Sequence, residues 1–175
     1  MPKQFGVIDT SCVIALDSAS LLPLLAFLFH RLMLPKAVRS ELYRRRRTRE
    51  RLRALQRNYA FLVSCDDYDQ AVVDTVLTDL NRKKKDRGEA ESVVQAPQLS
   101  AVVVVDDPWG RRLAESFSLE FHGTLWILER LHALELLPAA AVRQSLLRFK
   151  EARIQFPLRE ANRLLARIHE APIES

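Results

Sequence analysis

Short apolar runs alternate along this chain with longer segments of helical periodicity. The runs cover residues 7–8, 32–34, 61–63 and 101–105. The last run, Ala101 followed by four valines, has no polar alternation, which is typical of a parallel strand buried on both faces. We therefore predict an α/β fold: a three-layer sandwich with a central parallel sheet of four or five short strands flanked by helices, plus C-terminal helices.

Helical periodicity is clearest from Pro35 onwards. We predict helices beginning near residues 35, 70, 89 and 109, and the helix that begins near residue 89 should end early at Pro97. Residues 18–32 are almost continuously apolar and predict a buried helix. The segments 124–136, 139–151 and 158–169 predict the C-terminal helices. We expect residues 1–136 to form the main domain, residues 137–171 to be a helical extension packed on it, and residues 172–175 to be frayed.

The bulk composition is that of one globular domain. The 175 residues are 48% hydrophobic and 28% charged. No apolar stretch approaches the roughly 18–20 residues of a membrane span, and a strand ending in an acid stands where a signal peptide would lie. Cys12 and Cys65 lie among apolar residues, which indicates reduced thiols in a cytoplasmic protein. The 4 histidines have no ligand spacing that would predict a zinc site.

Basic residues are concentrated in two segments. Residues 44–57 contain eight arginines offset only by Glu50, and residues 82–87 form a second cationic cluster. Like charges at helical spacing repel unless an anion relieves them. We therefore expect contacts with a nucleic acid backbone, although a solvated face that favours solubility is the alternative. The candidate contacts are Arg44, Arg45, Arg46, Arg47, Lys83, Lys84, Lys85, Arg111 and Arg112.

Acidic residues follow two of the predicted strands. Asp9 ends the first strand, and Asp106 and Asp107 end the strand at residues 101–105. Open α/β sheets hold their ligands at the carboxyl ends of the strands. Taken alone, Asp9 could simply cap the helix that follows.

Further acids lie on two helices that could cover these strand ends. Glu41 is on one, and Glu89 and Glu91 are on the other, about 200° apart around the axis. Glu89 and Glu91 cannot both point at the same spot, and periodicity does not decide between them. Clustered carboxylates repel one another, and Mg²⁺ or Mn²⁺ would relieve that repulsion. Such a cation also activates water and neutralises a scissile phosphate.

The ordered set of motifs resembles the PIN domain, the nuclease fold shared by VapC-type toxins. The closest likeness is to the subfamily with a Gly-Glu-Ala-Glu helix and a Gly-Thr-Leu helix start. The motifs that carry it are Val7-Ile8-Asp9-Thr10-Ser11, Leu34-Pro35-Lys36-Ala37-Val38-Arg39-Ser40-Glu41-Leu42, Gly88-Glu89-Ala90-Glu91, Val104-Val105-Asp106-Asp107 and Gly123-Thr124-Leu125. The resemblance implies a Mg²⁺- or Mn²⁺-dependent endoribonuclease in the main domain.

The resemblance also implies roles for individual residues. The catalytic set would be Asp9, Glu41, Glu91 and Asp107. The metal ligands would be Asp9, Glu91, Asp106 and Asp107, with Thr10, Ser11, Glu89 and Asp106 as supporting or alternative residues. Ser11 would hydrogen-bond Asp9.

The chain departs from the family pattern at three positions. Trp126 replaces a small residue after Gly-Thr-Leu, Val104-Val105 lacks the threonine that many members place before the fourth acid, and Pro97 shortens a helix that the family normally continues. The first departure would reshape a groove, and the second would weaken a supporting hydrogen bond. None of them removes a carboxylate.

Two functions compete at this stage. The leading expectation is hydrolysis of RNA by a cytoplasmic, non-membrane protein, a homodimer that acts as a toxin with an antitoxin on a separate chain. The alternative is a non-catalytic PIN domain that binds RNA or a protein partner, in which the basic helix carries the function and the acids are remnants or hold a structural ion.

Overall fold

A five-stranded parallel sheet forms the centre of the molecule. The computed structural model describes residues 3–174 except 45, 59, 84 and 85, and the side chains at 46–48 and 55 also lie outside the description. The strand order is β3-β2-β1-β4-β5, and every described pairing is parallel. The predicted fold class is confirmed. The strands are β1 (Gln4–Ile8), β2 (Phe29–Leu34), β3 (Leu62–Ser64), β4 (Val102–Val104) and β5 (Phe121–His122).

Helices follow the strands along the chain. Short 3₁₀ turns occupy Leu22–Phe27 and Pro97–Leu99. Within the described residues, no helix is long and apolar enough to cross a membrane. The α-helices are α1 (Thr10–Ser18), α2 (Lys36–Arg44), α3 (Arg46–Asn58), α4 (Gln70–Asp79), α5 (Arg87–Gln95), α6 (Pro108–Ser116), α7 (Thr124–Ala133), α8 (Ala139–Glu151) and α9 (Leu158–Arg167).

Alternating strand residues build a separate core on each face of the sheet. Ile8 and Val104 point into a core that α1, α2, α3 and α7–α9 cover. Val7 and Val103 point into the opposite core, which α4–α6 cover. Both strand runs are therefore buried on two sides, as the uninterrupted valines predicted. The helices α8 and α9 contribute to the first core through Val142, Leu146, Phe149, Ala161, Leu164 and Leu165.

The predicted helix over residues 18–32 is wrong. The 3₁₀ turn at Leu22–Phe27 carries Pro23 in its first turn, and Ser20 before it has a left-handed φ of 61°. Phe29 already belongs to β2, whose backbone pairs with β1 from Gln4 onwards. Pairing with the central strand satisfies these backbone groups, and the apolar composition of the segment does not distinguish a buried strand from a buried helix.

The end of the chain is held more firmly than predicted. Asn162 on α9 donates to the carbonyl of Ile173 over 3.1 Å and accepts from its N–H over 2.8 Å. The Ile173 side chain is 3% exposed and belongs to the first core. The expected fraying of residues 172–175 is therefore wrong for Ile173, while Ser175 lies outside the described residues.

Candidate functional site

Asp9 lies at the carboxyl end of β1, the middle strand of the sheet. It is the N-cap of α1, and its Oδ2 accepts from the Ser11 N–H over 3.1 Å and from the Ser11 hydroxyl over 2.7 Å. Its own N–H donates to the carbonyl of Val104, which ties it to β4. The side chain is only 2% exposed. Asp9 can therefore cap α1 and still offer an oxygen to a ligand, because both Ser11 bonds fall on Oδ2.

The two acids after β4 have different surroundings. Asp107 is the N-cap of α6, and its Oδ1 accepts from the N–H groups of Trp109 and Gly110. Asp106 accepts from the Thr124 hydroxyl over 2.6 Å and from the Thr124 N–H over 3.1 Å. Arg111 donates to its Oδ1, and the Cys12 thiol donates to its Oδ2. Both oxygens of Asp106 are thus committed to structural bonds.

Glu89 and Glu91 face opposite ways on α5, as their angular separation predicted. Glu91 is 1% exposed. Its Oε2 accepts from the Ala37 N–H at the start of α2 over 2.7 Å, and its Oε1 accepts from Arg87 over 2.9 Å. Glu89 instead lies within electrostatic range of Asp9, Asp107 and Glu41. Glu91 is thus engaged by two partners within the fold, whereas Glu89 lies beside the other acids. The sequence-based preference for Glu91 as the third acid stays a prediction.

Glycines lie where α5 and α6 meet the strand ends, and the one on α6 is required there. A Cβ on Gly88 would lie 3.5 Å from Asp9 Oδ1, an ordinary contact distance, so α5 begins beside the Asp9 carboxylate. A Cβ on Gly110 would meet Val105 at 2.6 Å and Glu89 at 3.3 Å. Only a residue without a side chain fits at position 110, and Glu89 therefore packs directly against α6.

Glu41 lies on the side of the site formed by α2. Its charge contributes to raising the pKa of both Asp9 and Glu89. It also lines an open cavity of about 690 Å³, together with Lys36, Ala37, Ser40, Arg44, Gln70, Arg87 and Glu91. Four acids therefore interact electrostatically: Asp9, Glu41, Glu89 and Asp107. We call these four residues the acidic cluster.

The surroundings of the acidic cluster raise the pKa of Asp9 and of Glu89. Burial, followed by the charges of Asp9, Asp107 and Glu41, raises the pKa of Glu89 from 4.5 to about 8. Burial also raises the pKa of Asp9, against the lowering effect of the Ser11 hydrogen bonds. Clustered, desolvated carboxylates resist ionisation in this way until a cation neutralises them.

The donors of the acidic cluster suit a hard divalent cation in their chemistry. All four supply carboxylate oxygens, the ligand type that Mg²⁺ and Mn²⁺ prefer. Beside Asp9, the buried Thr10 hydroxyl has no hydrogen-bond partner in the described structure. Among the described residues, however, no three His, Cys, Asp or Glu side chains are already arranged around a common metal position. The residue types therefore suit the ion, but the described side chains do not form a group that already could hold it.

The predicted nucleic acid contacts divide into three groups. Arg44, Lys83 and Arg112 are exposed, and Arg44 shares a cavity with Glu41. Arg111 is engaged by Asp106 and by the carbonyl of Val105, so its charge is partly used within the fold. Arg45, Lys84 and Lys85 lie outside the described residues, as do the side chains of Arg46 and Arg47.

Sequence reasoning missed Arg87 and Thr124. Arg87 bonds Glu91, Asp74 and Gln70, and Thr124 holds Asp106. The Gly-Thr-Leu motif marks the position of Thr124, but its spacing does not show that Thr124 binds an acid 18 residues earlier. Arg87 stood inside a basic run and carried no separate signal.

The fold and site together define an α/β domain that gathers carboxylates at the carboxyl edge of a parallel sheet. The family model of the PIN domain matches residues 5–170. The chain therefore belongs to the PIN domain family, and the predicted family is confirmed.

Comparison with individual proteins adds the following. No match was found among curated proteins. Similar solved structures include VapBC2 from Rickettsia felis bound to a DNA fragment from their promoter, with 15% identity, a TM-score of 0.45 and coverage of 68% of this chain and 98% of that chain. VapBC-1 from nontypeable Haemophilus influenzae has 13% identity, a TM-score of 0.45 and coverage of 69% and 98%, respectively.

Proposed function

We propose that this protein is an endoribonuclease that hydrolyses RNA phosphodiester bonds with Mg²⁺ or Mn²⁺ held by the acidic cluster. The observation that carries the proposal is the burial of Glu89 together with its repulsion by Asp9, Asp107 and Glu41, which raises its pKa to about 8. A fold gains no stability from such repulsion. Membership of the PIN family supports the same conclusion.

The chain's own residues would divide the work as follows. Asp9, Glu89 and Asp107 would hold the cation, with Glu41 at the edge of the site. Ser11 fixes the orientation of Asp9 through its hydroxyl, and the helix-cap bonds of Asp107 fix its Oδ1. When bound, the cation would supply charge neutralisation at the scissile phosphate and an acidified water. Arg44, Lys83 and Arg112 would attract the RNA backbone.

Cleavage assays test this function directly. Purified protein is incubated with single-stranded and structured RNA in Mn²⁺, in Mg²⁺ and in EDTA. We expect products only with metal, and we expect Asp9→Asn to reduce cleavage to the buffer background. Asp79→Asn, an exposed position at the end of α4, is the matched control and should cleave as the wild type does. Cleavage by Asp9→Asn at the wild-type rate would refute the site.

We also propose, from the resemblance to VapC-type toxins, a cytoplasmic toxin that forms a homodimer and is neutralised by an antitoxin on a separate chain. Induced expression of the wild type should arrest growth, and expression of Asp9→Asn should not. Equal growth arrest by the wild type and by Asp9→Asn would contradict a toxin that acts by cleavage.

A non-catalytic domain that binds RNA or a protein partner is the second candidate. It is favoured by the finding that the described acids are not yet arranged as a ligand group. RNA binding unaffected by EDTA, without cleavage of any RNA tried, would support it over the nuclease.

A further inference from the structure

The loop between α8 and α9 reaches the edge of the acidic cluster. Ile154 and Gln155 line a cavity of about 320 Å³ whose other walls are Ser11, Ile14, Asp106, Asp107 and Pro108. Three segments far apart in the sequence therefore share one opening: the residues after β1, the residues after β4 and the loop between α8 and α9. The volume lies at the lower end of the roughly 300–1,000 Å³ typical of small-ligand sites.

The lining of the cavity combines acidic, apolar and neutral polar groups. Asp106 and Asp107, the latter a member of the acidic cluster, supply carboxylates, while Ile14, Pro108 and Ile154 supply apolar walls and Gln155 supplies a neutral amide. None of the described side chains that line it is cationic, so it does not suit a phosphate. Apolar walls with one amide suit a planar nucleobase, whose faces stack and whose edge forms hydrogen bonds.

A backbone hydrogen bond and core packing hold the loop that carries Gln155 in place. The Ile154 N–H donates to the carbonyl of Phe149 over 2.9 Å. The Phe156 ring meets Phe149 edge-on at 6.1 Å between centroids, and Ile154 and Phe156 both pack against the first core. Gln155 itself is exposed. The loop is thus a fixed wall that carries a free amide, which reduces the ordering cost of binding.

We propose that this cavity binds the nucleobase of a nucleotide flanking the scissile phosphate, and that Gln155 reads the edge of that base. The proposal rests on the ribonuclease function above, because the base must lie next to the reacting bond. An amide presents one donor and one acceptor, so it can form a bidentate pair with a base edge that offers the complementary set. A carboxylate at the same place would only accept, and it would disfavour uracil, whose edge carries a single N–H donor between two carbonyls that the carboxylate would repel.

Sequencing the ends of RNA products tests the proposal. A random single-stranded RNA pool is cleaved with Mn²⁺, and base frequencies are tabulated around the cut. We expect the wild type to favour one base at one flanking position and Gln155→Ala to lose that preference. The loss should be about 5- to 150-fold, the range of a bidentate amide–base pair. Gln155→Glu should select against uracil at that position.

The control is Gln144→Ala, an exposed glutamine on α8, which should keep the wild-type profile and rate. A wild-type profile retained by both Gln155 variants would overturn the nucleobase site while leaving the nuclease intact. Absence of any metal-dependent cleavage by the wild type would overturn the proposed function, and the nucleobase site with it.

Discussion

The backbone N–H of Ala37 donates to Glu91 Oε2 over 2.7 Å, which fastens the start of α2 to the middle of α5. Arg87 holds the other carboxylate oxygen over 2.9 Å. A negative charge at a helix N-terminus is stabilised by the exposed N–H groups there. Glu91 therefore sets the position of α2 against α5, and these two helices carry Glu41 and Glu89.

Replacement of Glu91 should lower stability, whereas replacement of Glu89 should abolish cleavage. Glu91→Gln keeps an acceptor for Ala37 but loses the ion pair with Arg87, so the free energy of unfolding should fall by about 1–3 kcal/mol. Glu89→Gln should abolish cleavage and leave the fold intact, because it removes a charge from a repulsive cluster. Urea denaturation and cleavage rates check both variants.

This division also predicts that Glu91→Gln retains metal-dependent cleavage at temperatures where it is folded. If Glu91→Gln lost Mn²⁺ binding while keeping wild-type stability, Glu91 would be a ligand, and the role assigned to Glu89 would be wrong.

The stability of the metal-free protein should depend on pH through Glu89. Its pKa is about 8 in the fold against an ordinary value of 4.5. Glu89 therefore binds its proton more tightly in the folded state than in the unfolded state. Its contribution to the free energy of unfolding is complete below pH 4.5 and is lost as the pH rises to about 8. In EDTA, Glu89→Gln should exceed the wild type in stability at the upper end of this window by about 1–3 kcal/mol.

The comparison is made by urea denaturation at both ends of the pH window, with Glu115→Gln as the control. Glu115 is exposed on α6, so its variant should follow the wild-type curve. A constant difference between Glu89→Gln and the wild type across the window would mean that Glu89 titrates normally.

The neighbouring acids after β4 offer a third test. Asn caps helices about as well as Asp, so Asp107→Asn should change the free energy of unfolding by no more than about 0.5 kcal/mol and still lose cleavage. Asp106→Ala removes the acceptor for Thr124 and Arg111, so it should destabilise the fold by about 1–3 kcal/mol. Calorimetric Mn²⁺ titration of both variants separates the roles: weaker binding for Asp107→Asn and unchanged binding for Asp106→Ala. The opposite pattern would place the cation at Asp106.

The sheet was predictable because its strands obey a local rule. Val102–Val105 and Val7–Ile8 are apolar without alternation, and each ends at an acid. That pattern fixes both the burial of the strands and the edge at which Asp9 and Asp107 lie. The family resemblance gave Glu41 its catalytic role, because no local pattern distinguishes its position on α2 from that of other helix acids.

The features that sequence reasoning could not decide depend on tertiary contacts. Residues 18–32 have a composition that suits helix or strand, and pairing of Phe29 with β1 decides for the strand. The choice between Glu89 and Glu91 depends on which neighbour each meets, the Ala37 N–H or the Asp9 carboxylate. The tail is held because Asn162 bonds both backbone groups of Ile173, and sequence spacing does not reveal that contact.

The most direct test of the acidic cluster is a crystal of the protein soaked in Mn²⁺ and measured at the manganese absorption edge. We predict an anomalous peak in contact with carboxylate oxygens of Asp9, Glu89 and Asp107, and its loss in Asp9→Asn. A peak bound instead by Glu91 or Asp106, or no peak at a Mn²⁺ concentration that supports cleavage, would contradict the assignment.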